Sequence, residues 1–144
     1  MLLCYTHRMK DIYDQTHFSI TLKSKIIDFT IDTLPSATPL DKAFVILTAW
    51  NPNNQPLSLE ENTARNTQLF ALLMERDYAF DAALGYLDEH SEESYCIYGI
   101  DFEEAIDLGK MFDQYAIFYR SIERVGYYEC ASGDAITQRD FQSH

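Results

Sequence analysis

Asn62, Arg65 and Asn66 are the residues whose types and spacing first call for a chemical explanation. They lie in a stretch that reads as an amphipathic helix, with Leu69, Leu72 and Leu73 marking its core face. Stepping back from Leu73 and Leu69 by about 3.6 residues per turn lands on Asn66 and then Asn62. Two carboxamides therefore occupy the centre of an apolar stripe, and Arg65 flanks them. A buried amide without partners costs about 1–3 kcal/mol. Two readings satisfy that constraint. In one, the amides tie down the neighbouring Trp50–Gln55 turn. In the other, they line a cleft with Thr48, Asn51 and Gln114, where Arg65 meets a carboxylate or phosphate and the asparagines orient it. Gln114, between a helix end and a strand, is most simply a capping or turn residue. Glu92 and Glu93 are candidate general bases, and His90 could form an acid–base pair with either. The plainer reading makes all three ordinary polar residues of an acidic loop.

The elements that must position these groups begin with Ala43–Ala49. This nearly unbroken apolar run, with β-branched Val45 and Ile46, predicts a strand covered on both faces. Pro52 ends it, and Asn53, Asn54, Gln55 and Pro56 continue a turn. Ser58 followed by Glu61 matches a capping box and predicts a helix from Leu59 to about Arg76. Any cleft would sit at the C-terminal end of that strand.

Elsewhere, His17–Leu22 alternates apolar and polar residues, as do Ile27, Phe29 and Ile31 with their neighbours, which predicts a hairpin with one wet face. Tyr78–Leu87 and Ser94–Ile100 read as strands separated by an acidic loop, Asp88–Glu93. Asp101 and Glu104 open a second helix, whose stripe is Ala105, Leu108, Gly109 and Phe112. Gly109 allows close approach to a sheet, at a cost of about 1 kcal/mol against alanine. Tyr115–Arg120 and Val125–Cys130 complete the strands. Residues 1–15 read as an N-terminal arm, in which Lys10–Gln15 could instead form a short helical turn. Met9 is a possible second start, so Met1–Arg8 is expected to carry little structural weight. Residues 132–144 read as a loose tail.

A chain of 144 residues with 47% apolar and 14% aromatic content can bury one core, so residues 1–144 are expected to form a single domain. A net charge of −12 argues against ordinary nucleic-acid binding and suits a soluble surface; in the extreme it suits an acidic interaction face or DNA mimic. No apolar run reaches the roughly 20 residues of a membrane helix, and Met1–Cys4 is too short for a signal peptide. Cys4, Cys96 and Cys130 cannot all pair with one another, and no CxxC or HxxxH spacing is present, which favours a reduced, cytoplasmic protein without structural zinc. Neither a Gly-rich phosphate loop nor GxSxG occurs, so no cofactor is implied. Cys96 falls in an apolar strand and reads as packing.

In order along the chain stand Thr48–Pro52 (TAWNP), Glu60-Glu61-Asn62 with Arg65-Asn66, Glu92–Ser94 (EES), and the pattern LG.MF.Q.AIF from Leu108 to Phe118. Together these resemble the bacterial family called domain of unknown function 3293, over roughly Ala43–Tyr119. The resemblance implies no activity. It implies that Asn51, Asn62, Arg65, Asn66, Glu93 and Gln114 occupy motif positions. Members commonly carry tryptophan about where this chain has His90.

The order β-α-β-β-α-β, with a hairpin before and a strand after, predicts an α+β fold. A ferredoxin-like core would place two helices on one face of a mixed or antiparallel sheet. The expected function is a binding module for a small polar or anionic ligand or a protein partner. An enzyme using a carboxylate base in the same cleft is the alternative.

Overall fold

A computed structural model describes residues 9–141. Helix α1 (Met9–Gln15) leads into strands β1 (His17–Leu22), β2 (Lys25–Phe29) and β3 (Phe44–Leu47). A 3-10 turn at Pro52–Asn54 precedes helix α2 (Leu59–Glu75). Strands β4 (Phe80–Leu87) and β5 (His90–Tyr98), helix α3 (Phe102–Met111), and strands β6 (Ala116–Arg120), β7 (Arg124–Glu129) and β8 (Ala135–Asp140) follow. One sheet holds all eight strands in the order β2-β1-β4-β5-β3-β6-β7-β8, and every pairing is antiparallel.

The ferredoxin-like expectation is corrected by this arrangement. The described residues are mostly sheet: an eight-stranded, wholly antiparallel curled half-barrel with three helices, rather than a two-layer core with two helices on one face. The physical reason is that both faces of the sheet are apolar. On the convex side, Leu69 and Leu73 of α2 and Ala105 and Leu108 of α3 pack with Val45, Leu47, Ile97 and Ile117. On the other side, Phe18, Phe29, Phe44, Phe118 and Tyr127 form a second cluster. Among the described residues no pair of helices covers that cluster; the sheet bends over it. The rings of Phe29 on β2 and Phe118 on β6 lie 6.2 Å apart between centroids. Those strands stand five places apart in the sheet, a separation of about 24 Å if the sheet were flat at about 4.8 Å per strand.

The two edges of the curl are held near one another by Arg139 on β8. Its Nε donates to Asp32, just beyond β2, at 2.8 Å, and its Nη2 lies 3.2 Å from Asp14 of α1. Thr137 also donates to Asp14, at 2.7 Å. Helix α1 thereby covers the concave side with Tyr13, which stacks on Tyr127 at 4.4 Å.

Three local expectations change. Residues 9–15 of the expected arm are helical and packed, whereas Met1–Arg8 lie outside the described residues. The expected loose tail from 132 contains β8, which pairs with β7 through its backbone despite its polar composition. The expected loop Asp88–Glu93 shrinks to a two-residue turn, with Asp88 at φ 53°, and β5 starts at His90. Gly109 does sit where α3 meets the sheet: a Cβ there would lie 2.6 Å from Cys130 Sγ and 2.9 Å from Ile117 Cγ2.

Candidate functional site

Strand β3 ends its pairing with β5 at Leu47 opposite Tyr95. Two residues on, Ala49 would face Glu93, but the strands have parted there. Asn66 of α2 fills that position. Its Oδ1 accepts the Ala49 N–H at 2.8 Å, and its Nδ2 donates to the Glu93 carbonyl at 2.8 Å. A side-chain carboxamide, which carries both a donor and an acceptor, thus replaces one rung of the ladder. Thr48 Oγ1 donates to the same Glu93 carbonyl at 2.6 Å and accepts the Trp50 N–H at 3.1 Å.

Asn62, one turn earlier on α2, performs the same service for the turn. Its Oδ1 accepts the Asn51 N–H at 2.8 Å, and its Nδ2 donates to Asn51 Oδ1 at 2.9 Å. Asn51 has φ 47°, the left-handed region that asparagine tolerates better than most residues. From there its Oδ1 also accepts the Leu57 N–H, and its Nδ2 donates to Glu92 Oε2 at 3.1 Å. Asn62 and Asn66 can occupy this face because α2 starts where its capping box puts it. Ser58 Oγ accepts the Glu61 N–H, and the Glu61 carboxylate accepts the Ser58 N–H.

Arg65 and Gln114 tie the network to α3. Arg65 Nε donates to the Ala49 carbonyl at 2.6 Å and Nη2 to the Phe112 carbonyl at 2.5 Å, with Asp113 at 3.7 Å. Gln114 Nε2 donates to the carbonyls of Trp50 and Phe112. Its capping role is therefore present, and it reaches across to the turn as well.

Every residue singled out for a cleft thus converges on one region, but the groups face different ways. Asn51, Asn62, Asn66 and Gln114 are buried, and the hydrogen bonds above occupy both ends of each asparagine carboxamide. Arg65 is committed to two carbonyls. Glu93 and Glu92 point to opposite sides of β5: Glu93 is exposed, whereas Glu92 is 2% exposed. Glu92 accepts from Asn51 and lies 3.1 Å from His90 Nε2. Burial, the largest single influence, pushes its carboxyl up, while the hydrogen bonds from His90 and Asn51 together with nearby positive charge leave it below the ordinary carboxylate range.

Glu92 borders a cavity of about 40 Å³ at this end of the concave face. Thr48, Ser94, Gln114, Tyr13 and Tyr127 supply the rest of its polar lining. The Tyr127 hydroxyl is buried and has no hydrogen-bond partner among the described residues. Sequence reasoning missed Tyr13, Ser94 and Tyr127. The usable signal was alternation along His90–Tyr98, which sends Glu92, Ser94 and Cys96 to one face once the strand is known to begin at His90. Burial pushes the Cys96 thiol up, so it is an inert packing group. Among the described residues, no cluster of three or more His, Cys, Asp or Glu could hold a metal ion, and no helix is long and apolar enough to cross a membrane.

Residues 47–117 match the model of the family described as protein of unknown function (DUF3293). The chain belongs to this family. The matched span begins at the end of β3 and closes in β6, so in this DUF3293 chain it contains the whole Asn–Arg–Gln network. Comparison of this DUF3293 chain with curated proteins and with solved structures gave no match.

Asn66→Leu and Asn62→Leu are expected to lower stability by about 1–3 kcal/mol each, because each strands buried backbone groups. Urea denaturation beside the native protein measures this; unchanged midpoints would contradict the structural role. The depressed Glu92 carboxyl stabilises the fold fully above the unfolded carboxyl value of about 4.3 and loses that contribution as pH falls through the folded value. The stability gap between the native protein and Glu92→Gln should therefore narrow as pH is lowered below about 4. A gap that widens on acidification would contradict the assignment.

Proposed function

We propose that the protein is a binding module for a small polar molecule, with its site at the Glu92 end of the concave face. The observation that carries this reading is a cavity lined by polar side chains in a wall that is otherwise aromatic and aliphatic. Tyr127 is one of its lining residues, and the buried Tyr127 hydroxyl makes no hydrogen bond among the described residues, a feature that costs stability unless something meets it. The Asn51–Asn62–Asn66 network supports the site rather than forming it, since it fixes the turn that orients Glu92 through Asn51. The anionic version of the ligand loses its main support, because Arg65 is spent on the Ala49 and Phe112 carbonyls.

The test is a thermal-shift screen of small polar fragments against the native protein and Ser94→Val, which adds carbon to the cavity. Fragments that raise the native midpoint are expected to lose that effect in the variant. Equal shifts in both, or no shift with any fragment, would contradict the proposal.

A further inference from the structure

The convex face of the sheet is covered only in part. Helices α2 and α3 pack over Val45, Leu47, Ile97 and Ile117, on β3, β5 and β6. Helix α1 lies on the concave side, so among the described residues no helix covers β2, β1 and β4 on the convex side. We infer that this open half is an interaction surface that receives one basic amphipathic helix of a partner protein. Cross-strand register defines its floor. Leu84 stands between Ser19 and Glu93, and Tyr86 stands between His17 and Ser91. The floor is shallow, because Ser19, Ser91 and the exposed Thr21 and Ala82 are small. The flank of α2 forms one wall, where Phe70 is 43% and Met74 60% exposed. Phe70 meets Phe80 edge-on at 5.6 Å and lies 6.0 Å from Tyr95, so the apolar surface runs from the helix onto the sheet without a break.

Size selects a helix and charge selects its sign. Three strands at about 4.8 Å span about 14 Å, the width of one helix of about 10–12 Å. Strand β4 has 8 residues; at about 3.4 Å each it is about 27 Å long, matching about 18 helical residues. Laying an apolar helix face in a groove of this kind is a common mode of recognition, and methionine adapts to the incoming side chains. The acidic groups of the floor are Asp28 and Glu93; Asp28 already holds His17 and Tyr86, whereas Glu93 is exposed. The positions that face outward beside them on β2, β1, β4 and β5 hold no Lys or Arg. Tyr86 and Tyr95 offer rings to a guanidinium or ammonium group. The net charge of −12 attracts a basic partner and repels a second copy of the chain, which carries the same charge.

The experiment is an NMR titration of the full chain with three synthetic peptides of about 18 residues. The first carries Leu at the i, i+3, i+4 and i+7 positions and Lys elsewhere. The second has Glu in place of Lys, and the third scrambles the order of the first. The first is expected to give saturable shifts at Phe70, Met74, Leu84 and Tyr95, the second none, and the third to bind at least roughly tenfold more weakly. Met74→Lys, at an exposed position that the fold tolerates, should weaken the first peptide roughly tenfold through lost apolar contact and added like charge. Ile122→Lys makes the same change in net charge at the 82% exposed turn after β6, three places from β4 in the sheet, and should leave binding within about twofold. Equal weakening by the two variants, or a scrambled peptide that binds as tightly as the first, would reduce the effect to bulk charge and overturn the inference. Shifts at these residues that grow with protein concentration alone would assign the face to a second copy of the chain and overturn it as well. Absence of saturable shifts with the first peptide would do the same.

Discussion

The structure depends on one substitution of partners: side-chain amides take the place of a β-ladder where β3 leaves the sheet. A strand that turns away from its neighbour exposes donors and acceptors that must be met, since a buried unpaired backbone group costs about 1–3 kcal/mol. Here Asn66 meets Ala49 N–H and Glu93 C=O, Arg65 meets Ala49 C=O, Asn62 meets Asn51 N–H, and Gln114 meets Trp50 C=O. Each bond contributes only about 0.5–1.5 kcal/mol net. Their joint effect is geometric: α2, the end of α3, the turn and β5 are held in one arrangement.

That arrangement explains why polar residues occupy the core stripe of α2. A leucine at Asn66 would gain burial but leave the Ala49 N–H unmatched and the Glu93 carbonyl with Thr48 alone. It also connects the fold to the proposed site. Asn51 is bonded to Asn62 on one side and to Glu92 on the other, so the turn that α2 fixes also fixes the carboxylate at the edge of the concave face. The curl of the sheet then decides what surrounds that carboxylate. Tyr127 and Tyr13 line the same cavity as Glu92 because β7 and α1 fold over the aromatic face rather than lying flat beside it.

Much of the local structure was legible in the sequence. The capping box at Ser58 and Glu61 placed α2 correctly, and helical spacing identified Asn62 and Asn66 as anomalous before any contact was known. The residue types could not choose between a cleft and a braced turn, because that depends on whether the amides meet backbone or water. The sheet's curvature was less legible. It arises from contacts such as Phe29 with Phe118, far apart in sequence and in strand order, which local patterning does not encode. Strand β8 was missed because its polar residues read as a tail, although they are held by pairing with β7 and by Arg139. Glu92 was noticed in the wrong setting: reading Asp88–Glu93 as a loop hid the alternation that buries Glu92 and exposes Glu93.

The central claim, that side-chain amides stand in for backbone partners at the end of β3, is tested most directly by native-state hydrogen exchange at the Ala49 and Asn51 amides. Neither lies in a strand or helix, and by position alone both would exchange as loop amides. The network predicts slow exchange at both, comparable with the β3 amides of Val45 and Leu47. It also predicts selective loss of protection at Ala49 in Asn66→Ala and at Asn51 in Asn62→Ala. Fast exchange of Ala49 and Asn51 in the native protein, at rates typical of exposed loops, would contradict the account.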